Sequence, residues 1–460
     1  MAYSEEKKKT LTLDAVRHIL GRTPSSPLAG WPKKALRVAD VAVLFGRLTD
    51  EERLRIFSLV CESDTELAAE LLSYLSREVE RDLLENIPPE KIAVLVDALS
   101  DDDAASLFSI LPEERSREIF LLLSLAQARR IKRLLRYPPD SAGRRMISEF
   151  VVLPPETLAR NAIEHLRGLK EEEEMVYYLY VADENRRLRG VLSMRGLLLA
   201  DPNARLGDIM SADVIKVGAH DDQEKAAQLV TQYGLMAIPV VDREDTLLGV
   251  ITGDDIMDVV EEEATEDIMR MAGTSEDVLL TSSTAASLRH RLPWLMATFA
   301  GGIVVSFLIG RFESVIEQVA IAAAFIPIIA GMGGSVGMQS ATIVVRGLAL
   351  GHVSAVRLGR VLWRELRVTG VMGVLYGALL GAFTYFFQSP HSLLGAVVGA
   401  ALCVSVLLAG LLGAAFPLLF HRLGADPAVA TGPFVMTVVD FSSIAAYFVL
   451  LGAFLISPIA

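Results

Sequence analysis

Ala425-Asp426-Pro427-Ala428-Val429-Ala430-Thr431-Gly432-Pro433-Phe434-Val435-Met436-Thr437-Val438-Val439-Asp440-Phe441-Ser442-Ser443, continued by apolar residues to Ile456, decides the reading of this chain. From Pro433 on, the run is long and apolar enough to cross a bilayer as a helix. Asp440 sits inside it. Ionising a carboxylate in hydrocarbon is costly, so such an acid normally faces a bundle interior or a water-filled path. No other acid is expected within an apolar span. Asp440 is therefore read as the place where a cation crosses the membrane. The alternative is a protonated Asp440 that hydrogen-bonds a neighbouring helix.

Outward from this stretch, the back half reads as five spans, at about 292–310, 319–343, 368–387, 393–420 and 433–456. The second is expected to be broken at Gly331-Met332-Gly333-Gly334-Ser335-Val336-Gly337. Those glycines permit either close helix contact or an opened backbone with carbonyls turned to a pathway. Arg346, Arg357, Arg360, Arg364 and Arg367 are placed in the second connection and Arg422 in the fourth, whereas the third has no Arg or Lys. The excess of basic residues puts the second and fourth connections in the cytoplasm and the C-terminus outside.

Charge separates the two halves. The chain of 460 residues is 52% hydrophobic with a net charge of −13. From Arg289 onward there are nine Arg, no Lys and five acids, a formal +4, so the first 288 residues carry −17. An acidic surface argues against nucleic acid and for metal cations. Cys61 and Cys403 lie in different halves, so no disulfide is expected. The N-terminus lacks the apolar core of a signal peptide, which keeps the front half in the cytoplasm.

After a lead-in expected to be mobile (1–40), a repeat begins. Leu75-Ser76, Ile87-Pro88, Leu99-Ser100, Leu111-Pro112 and Leu123-Ser124 recur every twelve residues. Most are followed by acids, and Ser or Pro followed by acids is a helix start. Short helices at a fixed period read as an α-superhelix, here 41–137. Its acids read mostly as caps, with Asp103 a candidate for more. A second repeat follows Pro138-Pro139. Val181-Ala182-Asp183 matches Val240-Val241-Asp242, and Gly190-Val191-Leu192-Ser193 matches Gly249-Val250-Ile251-Thr252. Each copy (138–202 and 203–260) reads as strand, helix, strand, turn, strand, helix. The first has a longer acidic loop at 170–174. From Glu261 a charged helix is expected to lead on to residue 287. Asp255, Asp258, Glu262 and Glu266 share one face at helical spacing, and a divalent cation would remove their mutual repulsion. The alternative is a solvated linker helix.

The repeated α/β copies resemble a tandem pair of CBS domains. In that family a Ser or Thr followed three residues on by Asp holds a ribose, and Thr252 and Asp255 keep this pattern. The first copy pairs Ser193 with Gly196, which leaves at most one adenine-nucleotide site. The whole chain resembles the MgtE family of magnesium channels. The resemblance rests on Gly333-Gly334-x-x-Gly337-x-Gln339-Ser340-Ala341-Thr342, Arg346-Gly347-Leu348-Ala349-Leu350-Gly351, Arg364-Glu365-Leu366, Gly424-Ala425-Asp426-Pro427-Ala428 and Gly432-Pro433-Phe434 with Asp440. It implies an α-superhelical N domain, α/β tandem CBS domains, an acidic connecting (plug) helix over 261–287 and a five-helix transmembrane α domain over 288–460. It also implies a homodimer with the pore on its axis. Asp440 faces its mate there, and Gly432, Met436 and Ser335 line the pore.

The family further implies closure by cytoplasmic Mg2+. Its candidate ligands are Asp255, Asp258, Glu263, Glu266, Asp267, Glu224, Asp426 and Asp103. The sequence departs from the family pattern at Ser335, where Asn is usual, at Gly234, where relatives can carry an acid, and at Ser106, where Asp often recurs. Mg2+ sheds water reluctantly, so facing carboxylates suit a hydrated ion. Softer divalent ions such as Co2+, Ni2+ or Mn2+ in the same fold are the first alternative. A membrane-anchored CBS sensor that moves no ion is the second. An enzyme is the least favoured class, because no nucleophile triad, phosphate loop or zinc spacing occurs.

Overall fold

The structure is a computed structural model, and it describes residues 38–148, 150–168, 177–275, 278, 283–350, 353, 358–388, 392–429 and 431–456. Residues 1–37 of the expected lead-in and the acidic loop at 170–174 lie outside the described residues. The chain divides into two compact units, Met1–Val260 and Glu261–Ala460.

Among the described residues, the first unit opens with eight short helices: α1 (Val38–Phe45), α2 (Asp50–Ser63), α3 (Thr65–Ser73), α4 (Arg77–Asn86), α5 (Pro89–Ala98), α6 (Asp101–Ile110), α7 (Glu113–Phe120) and α8 (Leu125–Leu134). From α4 on, helices begin every twelve residues, where the repeat places them. The starts are built locally. Ser100 accepts a hydrogen bond from the Asp103 amide at 3.4 Å, and Ser124 accepts one from the Gln127 amide at 3.3 Å. Pro88 and Pro112 hold the same cap position at α5 and α7. The two serines satisfy amides that have no partner within the helix, whereas the prolines make no side-chain cap bond. The apolar faces, with Leu83, Leu95, Leu107 and Ile131 among them, merge into one core.

Two three-stranded sheets follow. In the first, β1 (Val152–Leu153) is followed by α9 (Ala159–Arg167), β2 (Tyr178–Ala182), β3 (Leu188–Ser193), α10 (Met194–Leu199) and the short α11 (Leu206–Ile209). In the second, β4 (Val217–Gly218) is followed by α12 (Gln223–Tyr233), β5 (Ala237–Val241), β6 (Leu247–Thr252) and α13 (Gly253–Met271). Both sheets pair the first strand parallel and the last antiparallel to the middle one. The registers correspond, with Tyr178 opposite Ser193 and Ala237 opposite Thr252. Each copy opens on the other's sheet. A side chain at Gly190 would collide with Met210, and one at Gly249 with Met146. Glycine is required at both places because the partner's methionine already fills the space.

The charged helix differs from its sequence reading. It begins at Gly253, directly after β6, rather than at Glu261, and it ends at Met271. Nothing interrupts it at the expected boundary, and Asp255 caps its start by accepting from the Thr252 amide at 3.3 Å. It stops at Gly273, whose φ of +72° is a left-handed conformation that favours glycine.

Among the described residues, the second unit has five helices long and apolar enough to cross a membrane: Thr284–Arg311, Ala320–Ala349, Leu358–Phe386, Leu393–Arg422 and Pro433–Leu455. Their α-helical parts are α14 (Thr284–Arg311), α16 (Ile326–Ala349), α17 (Leu358–Phe383), α18 (Ser392–Arg422) and α19 (Pro433–Leu451), with a short α15 (Glu313–Gln318) after the first. The fourth is the most enclosed. The first is almost wholly exposed and meets the fifth at Gly301, where an added side chain would strike Thr437.

Two expectations for this unit are corrected. The glycine run does not break α16, which is continuous. Gly333 and Gly337 are buried, and a side chain on them would meet Ser443 and Val439 of α19. Gly333 and Gly337 serve close helix contact, the first of the two readings left open, whereas nothing approaches Gly331 and Gly334 has only ordinary contacts. The third span starts at Leu358, about ten residues early. Glu365 therefore lies within a span, and Asp440 is not the only acid there. Arg360, Arg364 and Arg367 resembled a loop, but their spacing of four and three puts them on one exposed helix face, with Glu365 and Thr369 buried on the other.

Candidate functional site

Three groups of acids stand out, one in the first unit and two in the second. The first is a cleft of about 90 Å³ lined by Asp102, Asp103, Asp255 and Asp258, with Arg77, Arg144 and Arg145 among the other lining residues. The helix start at Ser100 delivers Asp103, and the first two turns of α13 deliver Asp255 and Asp258. Asp255 accepts from the Thr252 hydroxyl, so its carboxylate is oriented from below. Burial and crowding raise two of these acids, Asp103 and Asp255, above the ordinary carboxylate range. Asp255 is pushed up to about 7, by burial first and then by Asp102. Asp103 is pushed up to about 6 by burial, with Asp255 and Asp258 adding to it and Arg145 opposing. Glu80 of α4 is pushed up to about 8 by burial and by Asp103, against Arg77.

The second group is a collar where α13 ends. Arg270 donates to Asp426 and pairs with Glu266. Glu263 adds its field to the same guanidinium. Asp267 is pushed up to about 6 by burial and by Asp426, while Arg346 and Arg270 draw it down. Asp426 is fixed from its own loop, since it also accepts from the Ala428 amide at 2.7 Å. Backbone meets backbone as well. A Cβ placed on Gly432 would lie 3.0 Å from the Met271 carbonyl oxygen and 3.3 Å from that of Arg270. Gly432 is the N-cap of α19, so the acidic helix ends against the residue that caps the helix carrying Asp440.

The third group lies within the spans. Asp440 sits two turns into α19, half-buried. Across from it is Gly334, where an added Cβ would lie 3.7 Å from Asp440 Oδ1 and 3.9 Å from Met436 Cε. Among the described residues the Asp440 carboxylate has no hydrogen-bond or ion-pair partner. One turn on, the buried Ser443 hydroxyl also finds none. Glu365 is the opposite case: it is 5% exposed and accepts from Ser340 at 2.9 Å.

The sequence-derived candidates thus fall in different places. Asp103, Asp255 and Asp258 are brought together in the cleft. Glu263, Glu266, Asp267 and Asp426 are brought together around Arg270. Glu224 lies outside the cleft lining, in the first turn of α12, where it accepts from Gln228 at 3.2 Å. Gly432 is buried under the end of α13, whereas Met436 is 39% exposed. Ser335 lies on an exposed stripe with Gly331 and Gln339, and Gly334 is the residue beside Asp440. Of the departures from the family pattern, Ser106 lines the cleft. Gly234 closes α12 at a φ of +62°, which an acid would adopt only with strain.

Sequence reasoning missed Asp102, Glu80, Arg270, Gly334 and Glu365. Asp102 and Glu80 look like ordinary capping acids until helices from elsewhere pack on them. Arg270 carried a usable signal, being the single base between Gly253 and Gly273. Among the described residues no group of three or more His, Cys, Asp or Glu could hold a metal ion directly. Pairs of carboxylates remain, and such pairs suit a Mg2+ ion that keeps several of its waters.

Residues 326–450 match the MgtE divalent cation transporter family, 36–140 its intracellular N domain, and 142–203 and 206–262 the CBS domain. The magnesium transporter MgtE of Bacillus subtilis is 33% identical over 420 residues, 91% of this chain and 92% of that one. That of Thermus thermophilus is 35% identical over 413 residues, covering 89% and 91%. The cytosolic domain of the Mg2+ channel MgtE in complex with ATP is similar over 54% of this chain and all of that one, with 31% identity and a TM-score of 0.50. With five apolar helices behind an intracellular N domain and a CBS pair, this multi-pass membrane protein belongs to the MgtE family of divalent cation transporters.

Proposed function

We propose that the chain is a channel that imports Mg2+ and is shut by Mg2+ on its cytoplasmic side. The observation that carries this reading is the seating of the last turn of α13 on Gly432, the cap of the helix that carries Asp440. A helix whose acids repel one another is thereby joined to the start of the helix that would guide the ion. In the transport step, the unpartnered Asp440 carboxylate supplies charge to a hydrated ion, and Gly334 leaves room for its waters. Asp440 of a second copy faces the first across a dimer axis, so that two carboxylates hold the ion through its hydration shell. Met436 and Ser335, exposed in the single chain, line the same passage. The C-terminus lies outside the cell.

In the gating step, the cleft acids Asp103, Asp255 and Asp258 and the collar acids Glu263, Glu266, Asp267 and Asp426 stay assembled while cytoplasmic Mg2+ is high. Removing the ion restores their repulsion, and α13 leaves the mouth of the fifth span. Millimolar sensing suits carboxylate pairs that bind a hydrated ion weakly. Glu224 would contribute only after a rearrangement of α12. An adenine nucleotide, if bound, uses Thr252 and Asp255 in the second copy. In the first copy Ser193 serves only to cap the Gly196 amide, at 3.1 Å.

The test is ion flux in liposomes with Mg2+ set independently on each side. Cytoplasmic-side Mg2+ should suppress uptake, and Asp440→Asn should abolish it. Uptake that ignores cytoplasmic Mg2+ would remove the gating step, and uptake that survives Asp440→Asn would remove the pore assignment.

A further inference from the structure

The collar contains a cation of its own. Arg270 donates to Asp426 and pairs with Glu266 one turn back on the same helix. Asp426 is held for this contact by the Ala428 amide, and the backbone of Arg270 and Met271 lies against Gly432. A guanidinium fixes carboxylates in two directions through its planar fork of donors. Being tethered, it is present at high effective concentration. We propose that Arg270 is a built-in counter-ion. It latches the last turn of α13 to the loop before the fifth span, and it competes with divalent cations for Glu266, Asp267 and Asp426. This rests on the gating reading and gives the collar its regulation.

Glu263, Glu266, Asp267 and Asp426 are four acids around Arg270, and Arg346 is the further base acting on Asp267, so the acids outnumber the bases two to one. The latch therefore holds weakly without metal. A divalent cation gains by displacing the guanidinium, and pays for that displacement in apparent affinity. Removing Arg270 should then do two things at once. The helix end should loosen when no metal is present, and Mg2+ should be able to re-seat it at lower concentration.

Hydrogen exchange on the full-length protein in detergent separates these effects, first in chelator and then along a Mg2+ titration. In Arg270→Gln, amides of residues 266–274 should exchange at least tenfold faster than in the unaltered chain in chelator. The Mg2+ concentration that restores protection should fall severalfold, and Arg270→Lys should lie between the two. Asp426→Asn, which removes the other half of the latch, should loosen the same amides but respond weakly to Mg2+. Amides of the fourth span serve as the control for folding. Equal exchange in chelator for Arg270→Gln and the unaltered chain, or an unchanged Mg2+ midpoint, overturns the proposal. If Arg270→Gln does not fold, unchanged exchange in Asp426→Asn overturns it alone. Flux that ignores Mg2+ would defeat the gating reading while leaving the exchange result to decide the latch.

Discussion

Asp440 and Glu365 are both acids within membrane-spanning helices, and their surroundings differ. Glu365 is buried between the second and third spans, where it takes a hydrogen bond from Ser340. Asp440 is half-buried against a glycine and, among the described residues, has no partner. A carboxylate in a membrane that is buried and bonded joins helices, whereas one that is open and unbonded keeps its charge for something that passes. Outside the membrane the two acidic groups are alike instead: burial holds Asp267 of the collar above the usual carboxylate range despite Arg346 and Arg270, and Asp103 of the cleft despite Arg145.

The sharpest way to break this comparison is to neutralise each membrane acid. Asp440→Asn should lower Mg2+ flux in liposomes by at least a hundredfold with the protein still folded. Glu365→Gln retains an oxygen acceptor for Ser340 and should stay within about threefold of the unaltered flux. Glu365→Ala should instead lower thermal stability, since it leaves a buried hydroxyl unpaired and opens a cavity, changes that together cost about 2–4 kcal/mol. Equal loss of flux in Asp440→Asn and Glu365→Gln would make Glu365 part of the ion path.

The cleft gives a pH prediction whose sign is fixed. Asp103, Asp255 and Glu80 have folded-state values of about 6, 7 and 8, above their ordinary values of 3.8, 3.8 and 4.5. An acid held above its unfolded value binds more protons when folded, so stability falls as pH rises between the two values. In chelator, the melting temperature of the full-length protein should drop between about pH 4 and pH 8. Mg2+ should flatten that drop at its upper end. A smaller effect is expected from Asp103→Asn at pH 8 in chelator. Relief of about 1 kcal/mol would raise the melting temperature by roughly 2–4 °C in a unit of this size. The increment due to Mg2+ should shrink with it. A stability that rises from pH 6 to pH 8 in chelator would refute the account of the cleft.

Much of this architecture was legible because local chemistry repeats. Ser100 and Ser124 cap helices at the twelve-residue period, and Gly190 and Gly249 recur at matching places in two copies. Asp440 stood out because one charge in a long apolar run needs no partner to be noticed. What stayed hidden depends on packing between distant segments. Glu80 looks like a first-turn acid of α4 until Asp103 faces it, and Glu365 looks like a loop residue until the spacing of its arginines is read as a helix face. Gly334 was one glycine among four, and only the approach of α19 shows that it is the one beside Asp440.

The smallest expected effect tests the joint between the end of α13 and the helix that carries Asp440. At Gly432 an added methyl would sit 3.0 Å from the Met271 carbonyl, close enough that the helix end must give by a few tenths of an ångström. That shift is too small to unseat the whole of α13, but it acts at the collar, where Arg270 meets Asp426. Gly432→Ala should therefore raise the Mg2+ concentration needed to half-close the channel by about two- to threefold, worth under 1 kcal/mol. Maximal flux should be unchanged, because the methyl lies two turns from Asp440. A fall in maximal flux with an unmoved closing concentration would place Gly432 in the ion path rather than under the gate.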